Sequence, residues 1–511
     1  MLIAENNKKI ISNTIFMYMR MLISLLVTLY TSRVLLQELG FENFGIYGVV
    51  GGVVTLFSFL NSSMSTATSR FFNFEIGRNG DVQAVFSSAI IIHAMIAILV
   101  LIIGAIVGFS VIFQYLNISE ERLIAAKWVY SFSLLTSFVT ILQVPYASLI
   151  VSYERFKIFA YFDLVSVFLK LGIAFSLILT NTDKLVTYSI LVFAVSLLSF
   201  IANVIYVAFN FNVSNLKIRM SHELTKKMLS FSCWDLYGNA SVLARTQGVN
   251  ILLNLFFGAL MNAASGIATQ VQGAVMSFAT SVLAAVKPQI VKSYASGDYE
   301  RVSWLVLNTA KFTYLILFMV TLPLVVEMNY VLELWLNNVP DFAVSFCQYV
   351  LIFNLFASIS SVVITAIHAT GHIKRPSLIN GTLYLLVIPI SYLAYEFDYS
   401  AIVAFQVNIV MVIIGMLSNA WTLNKLLPEF SFSKFICKVI LPCIGSAIFI
   451  SLIILFFMQT ITPGFHRLIY VSIMSFLLIS IVGYCIVIDR DMKEMMKKFI
   501  LNKIKPSHEL Q

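Results

Sequence analysis

Residues 85–113 read VFSSAIIIHAMIAILVLIIGAIVGFSVIF, a run without one charged side chain. A helix of about 20 apolar residues crosses a hydrocarbon core about 30 Å thick, so this stretch predicts a membrane-spanning helix with length to spare. Residues 349–367 and 435–458 meet the same test. Working outward in both directions gives about fourteen such blocks. They lie near 10–33, 44–66, 84–113, 123–150, 158–180, 185–209, 228–257, 262–286, 304–326, 343–368, 376–396, 399–424, 435–458 and 466–488. The expected fold is therefore an all-α integral membrane protein, and a chain that is 59% hydrophobic and 11% charged leaves little outside lipid.

The joints between blocks set limits on function. The longest lie around 211–227, around 287–302 and after Asp489, and none is long enough to fold a soluble catalytic domain. No GxxxxGK[ST] phosphate loop occurs, which excludes ATP hydrolysis by that route. The net charge of +9 is a matter of placement: alternate joints and the tail collect 24 Lys and Arg, from Lys8 and Lys9 to Lys503 and Lys505. The opposite joints hold 5, namely Arg33, Arg122, Lys127, Lys184 and Arg467. That asymmetry is the positive-inside rule; it puts both termini in the cytoplasm and reads the basic balance as topology, not as a nucleic-acid signal. Lys8 and Lys9 precede a first span with no cleavage site after it, so that span is expected to stay as an anchor. Cys233, Cys347, Cys437, Cys443 and Cys485 sit in or beside apolar blocks, form no CxxC pair and read as small hydrophobes, with no metal or cofactor implied.

A weak internal repeat runs through the chain. Lys8-Lys9 opens the first block and Lys226-Lys227 the seventh, while Gly80-Asp81 closes the joint after the second and Gly297-Asp298 the joint after the eighth. The offsets are 218 and 217 residues, and an even number of spans separates the copies, so both run in the same direction. The expected plan is two parallel six-helix lobes around a central cavity, 1–225 and 226–427, with two added helices and a basic cytoplasmic tail over 428–511. Gly48 with Gly52, and Gly104 with Gly108, have the spacing that lets helix backbones approach closely in lipid.

Arg33-Val34-Leu35-Leu36-Gln37-Glu38-Leu39-Gly40, then Phe44-Gly45-Ile46-Tyr47-Gly48, resembles the first loop of polysaccharide flippases. Ser65-Thr66-Ala67-Thr68-Ser69-Arg70-Phe71 leading to Glu75-Ile76-Gly77 continues the likeness. In the second lobe, Lys287-Pro288-Gln289-Ile290-Val291-Lys292-Ser293-Tyr294 and Gly297-Asp298 resemble the corresponding loop. The likeness is to Wzx-type O-antigen and capsule flippases of the multidrug/oligosaccharidyl-lipid/polysaccharide exporter superfamily. It implies translocation of an undecaprenyl-diphosphate-linked oligosaccharide from the cytoplasmic to the periplasmic leaflet of the inner membrane by alternating access. It also implies coupling to an ion gradient, H⁺ or Na⁺, and work alongside a polysaccharide polymerase.

Charges inside spans single out residues directly. A charge at mid-span costs about 2.5–3.5 kcal/mol on insertion scales and is kept where a partner or a wet cavity receives it. Arg20 and Arg245 lie deep in the first and seventh blocks, on topologically matching helices, and are read as contacts to a diphosphate or a sugar acid, since the guanidinium fork grips two oxygens. Lys170, central in the fifth block, is the third candidate cavity cation; Asp163, seven residues earlier, shares its face. Asp235 and Asp163 are candidate ion-coupling carboxylates. Lys311 is read as snorkelling to the surface. Glu327 and Glu333 are read as interface residues, and His93 as a packed, hydrogen-bonding histidine. Two other readings compete: a multidrug antiporter of the same superfamily, which favours acidic and aromatic cavities, and a membrane-embedded sugar polymerase, which needs a larger outer loop than this chain has.

Overall fold

A computed structural model describes residues 13–28, 30–31, 34–35, 37–39, 43, 46–47, 58–108, 120–211, 222–336, 339–458, 461–487 and 493. Among these the regular structure is helical throughout, with no strand. In chain order the helices are α1 (Asn13–Thr28), α2 (Ser58–Gly77), α3 (Val82–Val107), α4 (Glu120–Ser152), α5 (Phe156–Ser176), α6 (Lys184–Asn210), α7 (His222–Phe257) and α8 (Ala259–Ala295). They continue as α9 (Tyr299–Val326), α10 (Met328–Leu336), α11 (Ala343–Thr370), α12 (Lys374–Glu396), α13 (Val403–Leu426), α14 (Phe432–Met458) and α15 (Phe465–Val487). Among the described residues, 11 helices are long and apolar enough to cross a membrane. α1 is a shorter apolar helix, and α2 and α7 carry more polar side chains than the rest.

The joints are shorter than the hydropathy pattern suggests. The second block, expected to close at 66, continues as helix to Gly77, and the eighth, expected to close at 286, continues to Ala295 through Pro288. Polar residues that read as loop are helical here because tertiary contacts absorb them. Arg70 is buried against the rings of Phe71, Phe74 and Phe231, and Glu75 is buried and takes the guanidinium of Arg78 at 2.6 Å. The short α10, which follows Glu327, was not expected at all.

Packing divides the chain into two compact units, Ile15–Leu236, and Met1–Thr14 with Tyr237–Gln511. The lobe boundaries drawn from sequence are a division by helix number; the compact units divide by contact, and their border falls inside α7. Within the first unit, Ala125, Ala126, Val129, Tyr130 and Leu134 of α4 form a core with Ile173 and Ala174 of α5, Leu177 just after it, and Leu185, Tyr188 and Val195 of α6. Gly104 and Gly108 of α3 do what their spacing promised. A Cβ on Gly104 would run into Leu134 and one on Gly108 into Tyr130, whose hydroxyl donates to Gly104 O at 2.7 Å. The matching pair Gly48 and Gly52 lies outside the described residues. In the second unit α11 is the central helix, packed on α8, α9 and α13, and the rings of Phe346 and Phe405 stack at 4.2 Å between centroids.

The repeat is visible in the backbone. Asn79 (φ 55°) and Gly297 (φ 79°) occupy left-handed corners 218 residues apart, and α2 and α8 end at Gly77 and Ala295, the same offset. In both corners an amide five residues on closes the helix end: Gly80 N donates to Glu75 O at 2.8 Å, and Asp298 N to Ser293 O at 2.9 Å. Asp81 and Asp298 then cap the next helices, α3 and α9, each accepting a backbone N–H three residues on at 3.0 Å. The glycine of the repeated Gly-Asp pair is thus not one position. The left-handed residue is Asn79 in one copy and Gly297 in the other, and Gly80 is an extra residue before the cap. That insertion is why sequence offsets of 218 and 217 both occur. A second matched corner follows, at Glu154 (φ 59°) and Gly371 (φ 81°).

Three of the five cations in the sparsely charged joints have acid partners. Arg122 bonds Asp183 at 2.7 Å, Lys184 bonds Glu38 at 2.9 Å, and Arg467 meets Glu327 at 2.7 Å. Arg33 lies outside the described residues, as do Lys8, Lys9 and most of the basic tail.

Candidate functional site

Arg245 sits two thirds of the way along α7 and is 9% exposed. Its guanidinium lies over the rings of Tyr384 of α12, at 4.8 Å, and Phe353 of α11, at 5.2 Å. Among the described residues no carboxylate pairs with it. The helix can approach α12 this closely because Gly381 and Gly248 present no side chain: a Cβ at Gly381 would meet Tyr237 and Ser241, and one at Gly248 would meet Ile388. Each aromatic face returns about 0.5–2 kcal/mol to a cation, while a buried ion without a counter-charge costs several kcal/mol after relaxation. The rings alone do not balance this charge.

Beside the guanidinium is a cavity in which the centre of a water molecule can range over about 50 Å³. It is walled by Arg245, Thr246 and Asn250 of α7, Ser265, Thr269 and Gln272 of α8, Tyr349 and Phe353 of α11, and Asn408 of α13, with no acid among them. Ser265 Oγ donates to Asn250 Oδ1 at 2.8 Å, so the Asn250 amide keeps Nδ2 as its donor. Gln406 Nε2 donates to the Tyr349 hydroxyl at 3.0 Å, which leaves that O–H free to donate onward. Asn408 Nδ2 is spent on Ala404 O, and its Oδ1 is buried without a protein partner, the kind of acceptor that a cavity water serves.

The first unit treats its deep arginine differently. Arg20 of α1 reaches Asp163 of α5, Nη1 to Oδ2, at 3.3 Å and stacks over Phe159 at 5.2 Å. Ser24 Oγ donates to the same carboxylate oxygen at 3.3 Å. The pair is reachable, with Arg20 22% and Asp163 38% exposed at the side chain, and Arg20 Nε has no hydrogen-bond partner. Asp163 therefore faces Arg20 across two helices; the shared face with Lys170 that its spacing suggested is not how it is used. Lys170 is half-buried on α5 with no ion pair among the described residues, and Asp235 is buried on α7. Arg20 and Arg245 are also not equivalents. Before the spare residue at Gly80 the offset is 218 and after it 217, so Arg20 corresponds to Gly238 and Asp163 to Asn380, and Arg245 lies seven residues, about 10 Å, further along its helix. The second unit has an uncharged amide, donating to Asn419 Oδ1 at 3.1 Å, where the first has the carboxylate of an ion pair.

Three other expectations meet the geometry. Lys311 does not snorkel: it is 2% exposed within α9, in electrostatic contact with Cys443 of α14, because its stem points into the α9–α14 packing rather than along lipid. Glu327 is not an interface residue. Its side chain is fully buried, and Arg467 of α15 approaches both carboxylate oxygens, Nε to Oε1 at 2.7 Å and Nη2 to Oε2 at 2.9 Å. Glu333 stays exposed and accepts from Asn329 at 2.7 Å. His93 is buried, with Nδ1 2.8 Å from Ala89 O, the packed role assigned to it. Sequence reading missed Arg70, Glu75 and the polar wall of the Arg245 cavity. The polar wall residues are Ser, Thr, Asn and Gln spread over three helices, with Tyr349 on a fourth, and no spacing along one chain joins them. Among the described residues no group of three or more His, Cys, Asp or Glu side chains could hold a metal ion.

The fold has solved counterparts. The outward-facing conformation of a multidrug resistance MATE family transporter of the MOP superfamily superposes with a TM-score of 0.73 at 14% identity, over 82% of this chain and 96% of that one. A MOP superfamily transporter from Pyrococcus furiosus, described as having a binding pocket of reverse polarity that suggests a different function, gives 0.71 at 14%, over 82% and 96%. A MATE protein in its bent conformation gives 0.70 at 16%, over 82% and 96%. At such identities the likeness establishes the two-lobe helical transporter fold. No family model and no curated protein sequence matches the chain.

Proposed function

We propose that this protein moves undecaprenyl-diphosphate-linked oligosaccharide from the cytoplasmic to the periplasmic leaflet of the inner membrane by alternating access. The observation that carries the reading is the chemistry around Arg245: a buried guanidinium without a carboxylate, beside a cavity of amides and hydroxyls. An unneutralised arginine suits the acidic groups of a diphosphate or a uronic acid, and hydroxyl and amide walls suit the water and oxygen atoms around such a group. A hydrated, charged head group does not cross hydrocarbon unaided, because stripping its water costs more than its lipid anchor returns. Arg20, Lys170 and Arg245 are the cations proposed to line its path. Asp163, which holds Arg20, and Asp235 are the proposed coupling carboxylates for H⁺ or Na⁺. A polysaccharide polymerase is the proposed partner that uses the product.

The multidrug antiporter reading draws on the names of the solved counterparts. The charge at the site argues against it, since an organic cation beside Arg245 meets repulsion with no acid to offset it.

The test is reconstitution into proteoliposomes with a fluorescent lipid-linked oligosaccharide. Wild type is expected to move the probe between leaflets, with a loss of at least tenfold in Arg20→Ala/Arg245→Ala protein that still inserts. Unimpaired movement in the double variant would remove the site assignment. Accumulation of an organic cation by the same vesicles would favour the drug antiporter.

A further inference from the structure

We infer that the cavity beside Arg245 is a binding site for one small anionic group, held inside the second unit by Arg245 and the Asn250 amide. Three observations converge on it. The guanidinium is nine-tenths buried and faces two ring faces, which repay less than its desolvation costs. The cavity wall supplies donors, from Arg245, Asn250 Nδ2 and the Tyr349 hydroxyl, and no acid. The position that corresponds to Asp163, the built-in counter-charge of the first unit, is Asn380, an uncharged amide bonded to Asn419. One unit carries its own carboxylate, and the other must receive an anion from outside.

Size narrows the ligand. About 50 Å³ of space for water centres accepts a halide, a carboxylate or one end of a phosphate with a few waters. It is too small for a sugar ring with its hydroxyls. The group therefore comes either from free inorganic anion such as chloride or from the acidic terminus of a transported molecule. Only the second source rests on the transport reading above.

The test uses purified full-length protein in a buffer whose only anion is a bulky sulfonate. Thermal unfolding is followed by tryptophan fluorescence as chloride, inorganic pyrophosphate or glucuronate is added at constant ionic strength. Wild type is expected to gain about 3 °C in midpoint, with saturation, and Arg245→Gln is expected to lose that gain. Asn250→Asp places a carboxylate across the cavity. It is expected to start at or above the wild-type midpoint without added anion and to gain nothing further, which keeps the test decisive if Arg245→Gln fails to fold. A gain with chloride supports the site with free anion as the source; a gain with pyrophosphate or glucuronate but not chloride supports it with a substrate group. No gain with any of the three, or the same gain in Asn250→Asp as in wild type, overturns it. Oligosaccharide movement is measured separately, so anion binding without movement would sink the transport reading and leave this site standing.

Discussion

Arg20 and Asp163 form a pair whose worth can be measured directly. Both side chains are partly exposed and the contact is long at 3.3 Å, so about 0.5–1 kcal/mol is the expected coupling. In a double-mutant cycle, Asp163→Asn and Arg20→Gln should each lower the thermal midpoint, and the double variant should lie above the sum of the two losses. Strict additivity would show that the pair contributes nothing to stability. At this scale the sequence pointed to Arg20, Asp163 and Arg245 as side chains set apart from an apolar background, and the structure shows what each touches. It was a poor guide to their partners. Asp163 is seven residues from Lys170 and well over a hundred from Arg20, yet the distant residue is the one it bonds, because two helices that cross bring together positions that no period along one helix relates.

Helix, not loop, fills much of the joints after the second and eighth blocks, and this is where hydropathy misled. A window average drops wherever Arg70, Asn73 and Glu75 or Lys287 and Lys292 appear, although α2 and α8 continue because neighbouring rings and acids accept those groups. Close packing of elements gives two predictions. Gly381→Ala should push α7 from α12 and cost about 1–3 kcal/mol, read as a lower unfolding midpoint. Full recovery of the wild-type midpoint in that variant would mean that Tyr237 and Ser241 give way freely. The hairpin of α14 and α15 is fastened to α9 through the buried Glu327–Arg467 pair, so Glu327→Gln should cost about 3–5 kcal/mol. Limited proteolysis near residue 461 should reveal the loosened hairpin first, and an unchanged cleavage rate would count against the fastening.

Across the whole molecule, the fold class was readable from hydrophobic block length and the two-lobe plan from a pair of matched dipeptides. The polar cavity was not readable, since its wall is assembled from four helices with ordinary serine, threonine, tyrosine and amide side chains. The charge asymmetry predicts orientation. Single cysteines introduced at Ser296 and at Thr182 into a protein without its native cysteines should react with an impermeant thiol reagent from opposite faces of the membrane, Ser296 from the cytoplasm. Labelling of both from one face would overturn the topology. The matched corners after α2 and α8 carry a lesson about chain length. One copy holds a spare residue at a point where a helix has already finished and a new cap has yet to begin, so the extra length turns nothing. The same residue added one turn earlier would swing every later side chain of that helix by about 100° around its axis. Sister proteins built on this plan should therefore grow and shrink at their corners while keeping each rod between corners the same length.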